Sequence, residues 1–186
     1  IGAINVRGAT GGLVRPVAVW NDASVAEDFV PSIDGVWESE RAEPIPDGNG
    51  GSQYLTRRFV FANGAWSIDF SIHADENRSA LILAGRNTGK YSVVSNRADD
   101  GSFHAKFSFE ERSLTPGSMK LAGALTNAGC GESRWETGET QSVFPEGCEP
   151  FRVFGRAKCE AEYDVVRLAG GMLYLGDRPA DGFMCS

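Results

Sequence analysis

The chain has 186 residues, 41% of them hydrophobic and 23% charged, with a formal net charge of −7. That length suits one domain with a sizeable core, and the acidic balance argues against nucleic acid and against an electrostatically held membrane-surface protein, both of which need a basic face. No apolar run approaches the roughly 18 residues of a spanning helix, so an integral membrane protein is not expected.

Residues 1–32 are rich in Gly, Ala and Val with little period, and they read as an N-terminal arm. Ile1-Gly-Ala-Ile-Asn5 has neither a basic nor a long apolar segment and reads as a mature or trimmed end. Within the arm, Ser24 and Glu27 fit the N-cap and closing residue of a capping box for one short helix. From residue 33 to residue 186 the pattern is that of a β-barrel domain. Gly35-x-Trp37 reads as a turn into a strand whose Trp plugs a barrel end, and Tyr54–Phe61 is a β-rich run. The loop Asp47-Gly-Asn-Gly-Gly-Ser52 superficially resembles a calcium loop, but Arg58 stands where the terminal acid should be, so no metal is expected.

Trp66–Ile72 and Phe103–Phe109 alternate apolar and polar without a break, which gives each strand one dry and one wet face. Weaker β runs are Leu81–Ala84, Tyr91–Val94, Ser118–Leu121, Phe151–Phe154, Tyr163–Leu168 and Met172–Leu175. Between them, Asn63-Gly64, Asn87-Thr-Gly89, Asp99-Asp-Gly101, Thr115-Pro-Gly117 and Gly170-Gly171 read as turns. About nine or ten strands joined this way predict an all-β, antiparallel meander that forms a closed or half-open barrel to protect its edges.

Cys130, Cys148, Cys159 and Cys185 lie toward the C-terminus, and none forms a C-x-x-C motif, which favours two disulfides over zinc or redox chemistry. Three pairings are possible, of which the sequential one is simplest. Clamping the loop between Cys130 and Cys148 is worth roughly 3 kcal/mol in the chain-entropy model. Asn77-Arg-Ser79 fits a glycosylation triplet, a pattern common by chance.

Surplus apolar surface on the inward faces suggests a ligand cavity. Its expected lining is Phe59, Phe61, Trp66, Ile68, Phe70, Ile72, Phe103, Phe107, Phe109, Met119 and Leu121, with Trp135 at the mouth. Met119 is a pliable gap-filler suited to an acyl chain. Arg57, Arg58 and Arg178 are candidates to hold an anionic head group, set against plain exposure on a wet strand face. An enzyme is not expected. His73 and His104 are the only histidines and fall at outward positions, and neither Asp99-Asp100 nor Glu110-Glu111 can share one proton when neighbours on a strand point to opposite faces. No catalytic residue and no cofactor is assigned.

Taken in order, the motifs resemble the adenomatosis-polyposis-coli-down-regulated family over Ile33 to Gly182. Gly35-x-Trp37-x-Ser39, Glu43-x-x-Pro46, Tyr54-Leu-Thr-Arg57, Gly89-Lys-Tyr91, Cys130-Gly131, Trp135-Glu-Thr-Gly138, Gly147-Cys148 and Arg178-Pro-Ala-Asp-Gly182 are similar to its successive signature blocks. The resemblance implies an extracellular β-barrel with an open hydrophobic pocket for lipid. In animals the family occurs as membrane-tethered pairs of such domains that restrain Wnt signalling through the ligand's acyl chain. Ala42 stands where the family's first cysteine falls, and the stretch from Asp75 to Ser79 lacks a second, so one family bridge reads as lost whole while Cys159 and Cys185 are additional. A stand-alone relative is the resulting expectation. It would be a non-catalytic binder of a fatty acid, a lipid acyl chain or a lipidated protein, secreted or periplasmic. The alternatives are a cell-surface interaction module with a filled barrel, or a lipocalin-like carrier.

Overall fold

The computed structural model describes residues 6–8, 30–97, 101–177, 179 and 183–185. The short helix expected at Ser24, the acidic pair Asp99-Asp100 and Arg178 lie outside them.

The strands are β1 (Val6–Gly8), β2 (Gly35–Ser39), β3 (Glu43–Pro46), β4 (Ser52–Ala62), β5 (Ala65–His73), β6 (Leu81–Arg97), β7 (Phe103–Pro116), β8 (Gln141–Ser142), β9 (Gly147–Cys148), β10 (Val153–Phe154), β11 (Ala161–Ala169) and β12 (Met172–Leu175), with one helix, α1 (Met119–Asn127). Every pairing is antiparallel. The main sheet runs β11-β12-β1-β2-β4-β5-β6-β7-β8, and a further pairing of β11 with β7 brings its ends together as a nearly closed barrel. Residues of the expected arm contribute here, since β1 bridges β12 and β2.

Closure is confined to one end of the long strands. β2 pairs with the Arg58–Phe61 end of β4, and β11 with the Phe103–Ser108 end of β7. The other ends continue as an open curved sheet, which β3 extends along β4 and β8 extends along β7. Two cores follow. The closed end is filled by Ile33, Phe59, Phe61, Trp66, Ala105, Phe107, Phe109, Val166 and Leu173. The open end packs Leu83 and Leu114 against Ala122 and Leu125 of α1 and against Trp135 and Val143.

The turns at Asn63-Gly64 and Gly170-Gly171 hold positive φ at both positions (51° and 77°, 60° and 76°), as a two-residue hairpin requires. Two expected elements are corrected. Asn87-Thr-Gly89 is no turn, because β6 passes straight through it with a bulge after Thr88. Ser118–Leu121 is not a strand. Pro116 and Gly117 end β7, the Ser118 side chain accepts from the Leu121 amide at 3.2 Å as an N-cap, and Leu121, Ala122 and Leu125 recur at helical spacing. The expected run Phe151–Phe154 is split between a 3-10 turn, Glu149–Phe151, and the two residues of β10.

The disulfides are Cys130–Cys148 and Cys159–Cys185, the sequential pairing. The first ties the loop after α1 to β9, and both of its cysteines belong to the open-end core. Replacing Cys130 and Cys148 together by Ala is expected to lower unfolding stability by about 3 kcal/mol. Urea denaturation checks this, and an unchanged midpoint would mean that packing alone holds the loop.

Candidate functional site

Residues paired directly across antiparallel strands share a face. Phe61 pairs with Trp66, Phe59 with Ile68, Arg57 with Phe70 and Leu55 with Ile72, with no register shift among them. The buried Phe59, Phe61 and Trp66 identify this face as the inward one. On β6 it continues to Gly85, directly beneath Phe70, where an added Cβ would lie 2.3 Å from the Phe70 ring.

The expected lining separates into three groups. Phe59, Phe61, Trp66, Ile68, Phe103, Phe107 and Phe109 belong to the closed-end core. Their rings meet one another: Trp66 lies edge-on to Phe107 and Phe109 at 5.3 and 5.6 Å, and Phe61 meets Phe107 at 6.1 Å. These aromatic contacts fill the closed end from side to side. Phe70, Ile72, Leu121 and Trp135 belong to the open end, where Trp135 is buried and the other three are half-buried against the second core. Met119 belongs to neither. As the first residue of α1 it points outward and is 85% exposed, which corrects its assignment to the inward face of a strand.

Trp37 does reach the closed end: it packs against that core, and its indole N–H donates to the Ile33 carbonyl at 2.9 Å. Ile33 itself is fully buried and completes the plug.

The arginines divide by strand parity. Arg58 points outward and is paired with Glu38 at 2.8 Å. Arg57 points inward with a nearly buried side chain and forms an ion pair with Glu43. Glu43 also accepts from the Ser39 hydroxyl at 2.8 Å, and that hydroxyl accepts from the Arg57 amide at 3.0 Å. Across the sheet, Arg112 donates to Glu162 at 3.1 Å and to the Phe154 carbonyl at 2.7 Å, while its guanidinium lies 3.4 Å above the Phe109 ring. A belt of two ion pairs therefore stands between the aromatic plug and the open end. Ser39 and Glu43 enter the sequence reading only as members of motif blocks, and Arg112 and Glu162 not at all. A signal for Arg112 exists in the parity of β7: Phe109 and Leu114 are both buried five positions apart, so one residue between them must bulge. Thr88 pairs with Glu111 and Gly89 with Phe109, which leaves Glu110 as the extra residue. Glu110 and Glu111 are consequently both exposed instead of facing opposite sides.

Asp47 accepts from the amides of Asn49 and Gly51 at 2.8 and 2.9 Å, so the carboxylate of the glycine-rich loop closes a hairpin. His73 ends β5 opposite Tyr54, and His104 sits exposed on β7 opposite Val165. Two clefts of about 440 and 370 Å³ flank Tyr163 on the outer side of the β7–β11 seam. Both are lined in part by Phe183 and Cys185, and neither touches the inward apolar face of β4 and β5.

At the plugged end, Tyr91 donates to Asp34 at 2.7 Å and meets the Phe61 ring edge-on at 5.1 Å. Burial first, and then the Asp34 carboxylate, push the Tyr91 phenol up to about 12. A phenol held neutral by the fold contributes stability that is complete below its ordinary value of 10.0 and is lost as pH rises through about 12. A near-ultraviolet phenolate titration is expected to show one tyrosine ionising near 12, and Tyr91→Phe to remove that phase. Its persistence in the variant would assign the late ionisation elsewhere.

Comparison of the sequence with protein-family models and with curated proteins finds no match.

Proposed function

We propose that this protein is a non-catalytic, lipid-binding module of an extracytoplasmic space, and that an acyl chain lies along the inward face of β4 and β5 in the open end. One observation carries the reading: Leu55, Phe70 and Ile72 point inward, yet each keeps solvent contact, as does Leu121 of α1 opposite them. We read these half-wet apolar side chains as one wall of a slot that an acyl chain would cover. Covering them at about 25 cal/mol per Å² gives several kcal/mol for a fatty acyl tail, enough for useful affinity without any polar contact. The two disulfides suit an oxidising compartment. Among the described residues no helix is long and apolar enough to cross a membrane. The resemblance to the adenomatosis-polyposis-coli-down-regulated family points to the same ligand class, with the partner being a free lipid or a lipidated protein.

The filled plug favours a second reading, in which the barrel is only a scaffold and exposed loops engage a protein. Organic extraction of the purified protein, followed by mass spectrometry, separates the two. The acyl reading expects a stoichiometric fatty acid or lysolipid, or uptake of added lauric ester by protein that arrives empty. Folded protein that neither carries nor takes up an acyl chain would leave the scaffold reading in possession.

A further inference from the structure

The belt between plug and slot bears on which head group the slot accepts. Arg57 pairs across strands with Phe70, and Glu43 with Leu55, so this ion pair sits on the same face as the apolar side chains of the proposed slot. Its exposure is slight, 9% for the Arg57 side chain and 21% for Glu43. The second pair, between β7 and β11, is similarly enclosed, at 5% for Arg112 and 14% for Glu162. Two guanidiniums thus face two carboxylates, and Ser39 adds a further donor to Glu43. A buried cation without a carboxylate would attract an anionic head; here each arginine already has its carboxylate within contact distance. A carboxylate ligand arriving at the belt would have to displace Glu43 from Arg57 or remain beside it uncompensated. Either leaves one surplus negative charge in a place poorly reached by water, which is costly. A neutral ester or amide brings only hydrogen-bond acceptors.

We infer that Glu43, by holding Arg57, sets the slot to accept acyl chains with an uncharged linkage, esters or amides, in preference to free fatty acids. The inference rests on the proposed acyl function and adds to it the chemistry of the head. It also differs from both sequence readings of Arg57, as a holder of an anionic head and as a residue exposed on a wet strand face.

Laurate and methyl laurate are the probes, each titrated separately against wild-type protein at pH 8, with bound ligand read by native mass spectrometry. At that pH the free acid is ionised, well above the ordinary carboxyl range of about 4–5. The expected result is retention of methyl laurate about tenfold better than laurate. Glu43→Gln, which keeps the size and removes the charge, should raise laurate retention about tenfold and so narrow the ratio. Laurate bound as well as or better than its methyl ester by the wild type overturns the inference and leaves the acyl reading standing. A wild-type preference for the ester that persists undiminished in a folded Glu43→Gln protein overturns the role of Glu43. Should Glu43→Gln fail to fold, laurylamine replaces the variant: a charge-balanced belt predicts that the cation, like laurate, is retained less well than methyl laurate, and retention equal to or better than the ester's refutes it. Folded wild type that retains none of these probes removes the acyl function itself, and the inference with it.

Discussion

Glutamate at position 107 is expected to unfold the protein, whereas glutamate at position 70 is expected to leave it folded and unable to retain an acyl chain. Both residues are phenylalanines on the inward faces of long strands, and from sequence they look equivalent. Phe107 is 6% exposed and touches both Trp66 and Phe61 inside the plug. Removing a buried phenylalanine costs about 3–5 kcal/mol for lost transfer and cavity alone. An unpaired carboxylate left in that setting adds several kcal/mol more. The sum is comparable with the entire stability of a domain, about 5–15 kcal/mol. Phe70 stands over Gly85, half-buried, where a glutamate can swing its carboxylate toward water. Its cost in stability should be about 1–2 kcal/mol. The charge would nevertheless lie in the proposed acyl path, and loss of bound lauric ester should be complete. Far-ultraviolet circular dichroism with urea denaturation reports folding, and native mass spectrometry reports the ligand. A folded Phe107→Glu protein would mean that the closed end is not a filled core. A Phe70→Glu protein that still carries the ester would remove the slot from β5.

The difference between those two residues shows how far sequence reading reaches. Strict alternation in Trp66–Ile72 and Phe103–Phe109 identifies the inward faces, because the period of a strand is fixed by its backbone. Hairpin turns at Asn63-Gly64 and Gly170-Gly171 are equally legible, since few residue pairs tolerate positive φ. Two disulfides follow from the even cysteine count, and the sequential pairing that the structure has is the simplest of the three that the count allows. What alternation cannot say is where along a strand the sheet closes, because closure depends on β11 meeting β7 from more than fifty residues away. The division into plug, charged belt and slot is therefore invisible until the register is known. Arg57 and Arg58 illustrate the same gap: adjacent basic residues look like one wet patch, yet parity sends one inward to Glu43 and the other outward to Glu38. Ser118–Leu121 was misread for a different reason. Four residues hold too little period to tell strand from helix, and the deciding residues, Ala122 and Leu125, lie just beyond.

Gly89→Ala is expected to be among the most damaging single-methyl additions available in this chain, and it tests the corrected course of β6. Gly89 carries no positive φ, so its glycine is not needed for a turn conformation. It is needed for space. A Cβ there would lie 1.8 Å from the Ser108 carbonyl oxygen and 2.8 Å from its carbon, both backbone atoms of the neighbouring strand. No rotamer change relieves such a clash, so β6 and β7 must separate locally, at the bulge that sets the phase of everything from Glu110 to Leu114. The expected loss is about 3 kcal/mol or more, at the upper end of what overpacking costs. Gly123 provides the opposite case within the same protein. It lies exposed in α1 with open space around its Cα, so Gly123→Ala should raise stability by about 1 kcal/mol through helix propensity. Urea midpoints for the two variants should therefore move in opposite directions. Were residues 87–89 an exposed turn after all, a methyl at Gly89 would meet no opposing strand, and the variant would unfold within about 0.5 kcal/mol of wild type. That outcome would dissolve the continuous β6, and with it the register that turns Arg112 inward toward Glu162.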